Sequence, residues 1–171
     1  GFGLNQKNAV FAKENGPDNK FIAVFDLENN GLKDKEIRMI KNRLESEIKK
    51  TGLKVVEREQ INEIHKEQKL QLSGAVEHSL VNIGALLGAT HVLSGSVGKM
   101  SDTYYTISAK LVDVSSGELI KTADYDAMKG LSDLIKNGTR IIASSLFEIQ
   151  VETKLEEQSH YTVTVGNIFI S

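Results

Sequence analysis

The feature that most restricts the fold is a run of five consecutive apolar residues near the start of the chain, Phe21 to Phe25. Such a run is typical of a strand that is buried on both faces of a sheet. A sheet of this kind needs helices to cover it, so the run predicts the central strand of a layered α/β domain. The polar stretch Glu28-Asn29-Asn30-Gly31 follows, and we expect it to end the strand.

Helical periodicity follows the first strand. Between Lys33 and Lys50, apolar residues recur three or four positions apart, which predicts an amphipathic helix closed by Thr51-Gly52. Lys41 falls outside this apolar series, so we expect it on another face of the helix. A second helix is predicted from Glu59 to about Gln71, and a third, short helix ends at Gly88, where glycine readily adopts a positive φ.

Strand patterns dominate the second half of the chain. A β-hairpin is predicted from Tyr104 to Tyr125, because apolar and polar residues alternate in its first strand and Ser115-Ser116-Gly117 supplies a turn. Further strands are predicted at Leu53 to Val56 and His91 to Val97, with a fourth helix from Leu131 to Leu146. The fold class is therefore α/β (layered α+β), with a mixed central sheet of about five strands flanked by helices.

The domain is expected to span residues 20–148, because both flanking segments differ from it in composition. Residues 1–19 are rich in Gly, Asn and Lys and are predicted to form a flexible arm. Residues 149–171 form an extension that alternates at Tyr161, Val163 and Val165. This extension fits a hairpin, an added edge strand or an oligomer contact, and those three residues are candidate interaction residues.

Composition excludes several functions. Lys and Arg number 21 against 23 Asp and Glu, so there is no overall positive field and nucleic acid is not an expected partner. The absence of cysteine excludes a thiol nucleophile, a thiolate zinc site and an iron–sulfur site. The longest apolar or small run, Ile83 to Ala89, is far too short to cross a bilayer as a helix.

A glycine-rich stretch, Gly95-Ser96-Val97-Gly98-Lys99, resembles a phosphate-binding loop only superficially. Two residues separate its glycines where the motif needs four, and Met100 occupies the place of the magnesium-binding Ser or Thr. We expect these glycines instead to thin a strand so that a helix can pack closely on it.

The histidines and carboxylates offer little that is specific. The four histidines fall in separate segments, and only His91 is expected to be mostly buried, with a backbone partner. Asp26 and Glu28 follow the first strand, at the edge where α/β sheets place ligand sites. We favour solvated loop acids for this pair, because no partner nucleophile or base is identifiable, and we predict no catalytic residue and no cofactor.

Four stretches together carry a family resemblance. In chain order they are IAVFDLEN at residues 22–29; KVVEREQI at 54–61, continued by EQ at 67–68 and LSG at 72–74; IGALLGA at 83–89, continued by VLSGSV at 92–97; and LVDVSSGELI at 111–120. In this order they resemble the CsgG family of bacterial envelope proteins, named for the curli production assembly/transport component.

The resemblance implies a periplasmic α/β domain, often part of a lipoprotein anchored to the outer membrane. It also implies a fold related to the amino-terminal domain of the translocation protein TolB and to lipoprotein activators of peptidoglycan synthases. None of these proteins is an enzyme.

The sequence departs from the channel-forming member of that family in two places. That member inserts membrane-crossing hairpins before the strand corresponding to Tyr104 to Val114 and after the one corresponding to Leu119 to Tyr125. Here only Lys99 to Thr103 and Asp126 to Gly130 occupy those places, whereas each crossing strand needs about 9 to 11 residues. The lipid-bearing cysteine of family lipoproteins is also missing, which fits either a sequence that begins just after that cysteine or a freely soluble protein.

These observations lead to two hypotheses. The leading one is a non-catalytic envelope protein, in the periplasm or at the periplasmic face of the outer membrane, that binds other envelope proteins or copies of itself and associates with the membrane only peripherally. The alternative is a metal-dependent, nucleotide-binding or hydrolytic α/β enzyme in which Asp26 and Glu28 hold a magnesium ion.

Overall fold

A computed structural model of the chain describes residues 19–68 and 77–147. Within these residues, a mixed sheet is flanked by helices, as the sequence predicts. The sheet has six strands rather than about five: β1 (Phe21–Val24), β2 (Glu28–Asn30), β3 (Lys54–Val55), β4 (His91–Lys99), β5 (Tyr105–Asp113) and β6 (Leu119–Ala127). The helical elements are α1 (Asp34–Lys50), α2 (Arg58–Gln68), α3 (Glu77–Leu86), α4 (Leu131–Asp133), a π-helical turn (Leu134–Gly138) and α5 (Thr139–Leu146).

The central strand β1 is buried on both faces, which confirms the prediction made from its apolar run. Ile22 and Val24 belong to the hydrophobic cluster that also contains residues of α1 and α5. Ala23 and Phe25 belong to a second cluster, which contains residues of α2 and α3. Successive residues of an extended strand point to opposite faces, so the sheet is covered on both sides.

The sheet order is β3-β1-β4-β5-β6, and β2 also pairs with β4. Strand β1 is parallel to both of its neighbours, whereas β4, β5 and β6 run antiparallel in sequence. The predicted hairpin from Tyr104 to Tyr125 is confirmed as β5 and β6. Gly117 in its turn has a φ of 73°, a conformation that favours glycine.

The first strand ends before residues 28–31, as predicted, but this polar stretch forms a strand of its own that the sequence did not predict. Glu28 to Asn30 form β2 and pair in parallel with Ser96 to Gly98 of β4. Between the two pairings, three residues (25–27) lie opposite two of β4 (94–95), because Val24 pairs with Leu93 and Glu28 with Ser96. One extra residue is therefore accommodated as a bulge, and all three exposed residues of β2 gain backbone partners despite their polar side chains.

Helix α1 confirms the predicted amphipathic helix, with one correction. Its apolar residues Ile40, Leu44 and Ile48 have no exposed surface. Lys41, expected away from the core, is only 4% exposed. A lysine can be buried in this way when its aliphatic stem packs against apolar neighbours and its ammonium group finds a carboxylate.

Two glycines allow close approach between elements, one within the sheet and one between the sheet and a helix, and the helix contact is not where the sequence predicted it. A β-carbon at Gly95 would lie 2.9 Å from the Ala109 Cα, so this glycine accommodates the backbone of β5 rather than a helix. At Gly84 in α3, a β-carbon would lie 2.6 Å from the Val92 Cγ1. The close helix–sheet contact therefore depends on Gly84.

The fourth predicted helix is interrupted by the π-helical turn. Asp133 accepts hydrogen bonds from the Tyr125 hydroxyl at 2.8 Å and the Asn137 amide at 2.9 Å. The Asn137 and Tyr125 hydrogen bonds hold the pKa of Asp133 below its usual value. These contacts tie the turn to β6.

Several predictions concern other parts of the chain. The arm at residues 1–19, apart from Asn19, lies outside the described residues, as does the extension with Tyr161, Val163 and Val165. The predicted domain boundaries thus stay predictions. Within residues 19–68 and 77–147, no helix combines the length and apolar composition that a bilayer crossing requires.

Candidate functional site

Polar side chains form a row across four strands, on the face of the sheet that carries α2 and α3. Glu28 of β2 pairs with Ser96 of β4, Ser96 pairs with Ser108 of β5, and Ser108 pairs with Asp124 of β6. Paired residues of neighbouring strands project to the same face. The row therefore has a carboxylate at each end and two hydroxyl groups between them.

A second polar row lies beside the first. Ser94 of β4 pairs with Lys110 of β5, and Lys110 pairs with Thr122 of β6. In each strand these residues are two positions away from a member of the first row, so both rows share one face. The opposite face carries apolar residues of the larger hydrophobic cluster, such as Ile107 and Leu111.

The two rows line a pocket of about 470 Å³, a volume in the range of small-molecule sites. The lining residues are Asp26, Glu28, Leu80, Ser94, Gly95, Ser96, Ser108, Ala109, Lys110, Thr122 and Asp124. Leu80 of α3 is the large apolar side chain among them. Most of the other side chains offer oxygen atoms, so the pocket suits a polar ligand.

Asp26 lies in this lining but already has a partner. The Lys41 Nζ donates a hydrogen bond to the Asp26 Oδ1 at 2.7 Å. The side chain of Lys41 is 5% exposed and that of Asp26 is 62% exposed. The carboxylate compensates the charge of a buried ammonium group, which is a structural role.

The magnesium alternative gains no support from this arrangement. Asp26 and Glu28 are brought to the same pocket, as their positions after the first strand predicted. However, the Asp26 carboxylate pairs with Lys41, and within the described ranges no group of three His, Cys, Asp or Glu side chains could hold a metal ion. A metal-dependent reaction is therefore not favoured.

Ser94 is the least satisfied polar group of the pocket. The residue is 7% exposed, and its Oγ has no hydrogen-bond partner among the described residues. An unsatisfied buried hydroxyl group costs about 1–3 kcal/mol. The Ser94 hydroxyl thus has both a donor and an acceptor to offer to an occupant of the pocket.

His91 occupies a separate polar position at the start of β4. Its Nε2 lies 3.7 Å from the Asp113 Oδ2, and its Nδ1 lies 2.8 Å from the Thr90 Oγ1. The side chain is 12% exposed, so the prediction of a mostly buried ring is confirmed, but its partners are side chains rather than the backbone. Burial lowers the pKa of His91, and the Asp113 carboxylate offsets only part of this shift.

Strand β6 presents a different kind of surface. It is a nine-residue strand at one end of the sheet order, so one of its edges has no partner strand within the described part of the chain. Leu119 and Ile120 at its start are 49% and 52% exposed. A long edge strand with exposed apolar residues is a typical place for strand addition.

Sequence reasoning found only one end of the polar row. The sequence predicts Asp26 and Glu28 as candidate site residues because they follow a buried strand. It does not predict such a role for Asp124 or Lys110. The alternation in β5 did indicate a polar face at Ser108 and Lys110. Only the pairing register of β5 with β4 and β6 reveals that this face continues into Glu28 and Asp124.

The chain forms a three-layer α/β domain, in which a mixed sheet lies between two helical layers. The polar pocket lies on one face of this sheet. Residues 22–147 match the model of the family DUF3280, described as "Protein of unknown function (DUF2380)", and the chain belongs to this family. A search of curated protein sequences found no match.

Solved structures share the fold. The LpoB C-terminal domain from Salmonella enterica has a TM-score of 0.54 at 17% identity, covering 71% of this chain and 92% of that one. Lipoprotein GNA1162 from Neisseria meningitidis has a TM-score of 0.54 at 17% identity, covering 81% and 96%. TolB from Acinetobacter baumannii has a TM-score of 0.50 at 12% identity, covering 75% of this chain but 27% of TolB.

At these identities, the likeness extends to the fold and no further. The chain shares the fold of the LpoB C-terminal domain, of lipoprotein GNA1162 and of part of TolB. This confirms the relation to TolB in fold that the sequence resemblance implied. The finer relation to the CsgG family still rests on the four quoted stretches of sequence.

Proposed function

We propose that this chain is a non-catalytic protein of the bacterial envelope that acts by binding other envelope proteins or copies of itself. It resides in the periplasm or at the periplasmic face of the outer membrane, and any membrane association is peripheral, through a lipid anchor outside this sequence. The shared fold with lipoprotein GNA1162 and with the LpoB domain supports this proposal.

The observation that carries the proposal is the open edge of β6. The strand contributes nine residues to the sheet and pairs along one side with β5. No other strand in the described part of the chain pairs with its second side, where backbone N–H and C=O groups can receive a strand from a second molecule. Leu119 and Ile120 beside this edge add apolar area that association would bury.

The carboxyl-terminal extension is the second proposed contact. Tyr161, Val163 and Val165 alternate with polar residues, the pattern of a strand with one apolar face. Such a strand could add to the edge of a partner or of a second copy of this chain. These three residues lie outside the described residues, and their role rests on the sequence pattern alone.

The relation to the CsgG family is also a proposal. It rests on the four stretches at residues 22–29, 54–74, 83–97 and 111–120, each of which overlaps a strand of the central sheet. In this proposal the chain corresponds to the soluble part of the curli transport component and does not itself form a curli pore.

The test is a pair of charge substitutions at the edge, Leu119→Lys with Ile120→Lys. Lysines on an edge strand disfavour strand addition, and both positions are exposed, so the fold should be preserved. Sedimentation velocity measures self-association, and photo-cross-linking in living cells from position 118, an exposed residue next to β6 that neither variant changes, measures contact with other envelope proteins.

The matched control is Met39→Lys with Met128→Lys. These methionines are 47% and 61% exposed and lie outside β6, so this variant changes charge and exposed apolar area by similar amounts. We expect the edge variant to lose association while the control keeps it. A protein that stays monomeric and forms no cross-linked species in cells would overturn the proposal.

A further inference from the structure

We infer that the pocket on the α2/α3 face of the sheet binds an elongated organic cation with amino or guanidino groups at both ends. Linear polyamines belong to this class, and so do short peptide segments with two basic side chains. The inference does not depend on the proposed role of β6, because the pocket and the open edge involve different atoms.

The first argument is charge. Among the described lining residues, three carboxylates, those of Asp26, Glu28 and Asp124, face one ammonium group, that of Lys110. Lys41 compensates Asp26 from outside the pocket lining. Glu28 and Asp124 form no ion pair or hydrogen bond with any described side chain, so the described lining of the pocket keeps a net negative charge that attracts a cation.

The second argument is geometry. Glu28 and Asp124 end a row that crosses β2, β4, β5 and β6, so their backbones are separated by three strand spacings, about 14 Å. A single metal ion cannot contact both carboxylates at that separation. A cation with charges at its two ends can, because the residues at both ends of the row line the same pocket.

The third argument concerns the middle of the site. The Ser96 and Ser108 hydroxyl groups lie between the two carboxylates and can accept hydrogen bonds from N–H groups. Ser94 in the adjacent row is more than nine-tenths buried, and its Oγ has no partner in the described ranges. A bound N–H group would supply the hydrogen bond that this buried hydroxyl lacks.

The experiment is isothermal titration calorimetry of the full chain at low ionic strength. The probes are spermidine, a short synthetic peptide with two arginines, and magnesium chloride. The variants are Glu28→Gln, Asp124→Asn and the double variant. Asp126→Asn is the control, since Asp126 is an exposed residue of the same strand that lies outside the pocket.

We expect spermidine or the arginine peptide to bind. Each single substitution should weaken that binding about tenfold, and the double substitution should abolish it, whereas Asp126→Asn should leave it unchanged. Added salt should also weaken binding, because the attraction is between charges that are partly exposed to solvent.

The two cationic probes distinguish the source of the ligand. Binding of spermidine indicates a free polyamine, whereas binding of the peptide alone indicates basic side chains of a protein. Binding of magnesium alone, binding that persists in the double variant, or no binding of either organic probe would overturn the inference. Circular dichroism of each variant, compared with Asp126→Asn, excludes misfolding as the cause of a loss.

Discussion

The Lys41 Nζ lies 2.7 Å from the Asp26 Oδ1 and joins the buried side of α1 to the bulge that follows β1. The side chain of Lys41 is almost fully buried, whereas that of Asp26 is mostly exposed. The two partners therefore differ in what their removal costs. Loss of Asp26 leaves a buried ammonium group without its counterion, whereas loss of Lys41 leaves a carboxylate that water can solvate.

This asymmetry predicts the outcome of a double-mutant cycle. Asp26→Asn should lower the free energy of unfolding by about 1–3 kcal/mol, because a buried charge loses its partner. Lys41→Met should change it by less than about 1 kcal/mol, because a hydrophobic side chain of similar length can fill the site. Urea denaturation measures both effects.

The cycle has an internal check and an external control. In the Lys41→Met background, Asp26→Asn should lower the free energy of unfolding by less than about 0.5 kcal/mol, because this background has no buried ammonium group that could lose its counterion. Asp102→Asn breaks the ion pair with Lys99, in which Asp102 is 95% exposed. This substitution should leave the free energy of unfolding nearly unchanged. Equal costs for Asp26→Asn in both backgrounds would contradict the assigned role of the pair.

Ser94→Ala should stabilise the free protein. Its buried Oγ has no described partner, so removal of the hydroxyl group should raise the free energy of unfolding by about 1 kcal/mol. Ser96→Ala, at a half-buried position of the same strand, is the control and should change it by less than about 0.5 kcal/mol. Destabilisation by Ser94→Ala in urea titrations would mean that the hydroxyl group has a partner in the folded protein.

His91 should make the fold less stable in mild acid. Burial places its pKa in the folded state below the ordinary value of 6.5, although Asp113 acts in the opposite direction. When the pH falls below 6.5, the unfolded chain binds a proton at this position more readily than the folded chain. Stability therefore falls between pH 6.5 and the lower pKa of the folded state, with a slope of at most about 1.4 kcal/mol per pH unit.

The measurement is the urea midpoint at pH 7.5, 6.5 and 5.5 for the wild type and for His91→Gln. The variant should show a shallower decline, because it lacks this titrating group, while the other three histidines are common to both proteins. The pKa of Asp113 is lowered below 3.8, despite an opposing effect of burial, by hydrogen bonds from Ser116 and Ser115, so this residue contributes only at lower pH. Identical declines would rule out a contribution from His91.

Removal of residues 158–171 tests the proposed role of the extension. We expect the truncated protein to remain folded, because the described members of both hydrophobic clusters already form a continuous core on each face of the sheet. Self-association or partner capture should weaken, because Tyr161, Val163 and Val165 are lost. Unchanged sedimentation together with unchanged cross-linking would contradict a role for these residues. A change in the far-ultraviolet circular dichroism larger than the loss of these residues explains would contradict a domain that folds without the extension.

The sequence pattern was sufficient to predict an element where buried residues recur with the period of a helix or of a strand. The apolar spacing in α1 and the alternation in β5 each predicted an element close to its observed bounds. The same patterns could not predict β2, because its polar residues join the sheet through backbone hydrogen bonds with β4, which do not depend on their side chains. The π-helical turn is likewise joined to another element, because Asp133 binds both Asn137 of the turn and Tyr125 of β6.

The sequence by itself determined a layered α/β domain with a strand buried on both faces, because the periodicity of apolar residues reports which side of each element avoids water. Only the tertiary structure decided that Glu28 and Asp124 end one polar row and that Lys41 meets Asp26. The row depends on the pairing register of four strands, and the ion pair depends on how α1 lies against the end of β1. Both relationships join residues far apart in the chain, and the spacing of residues along a single element contains no information about them.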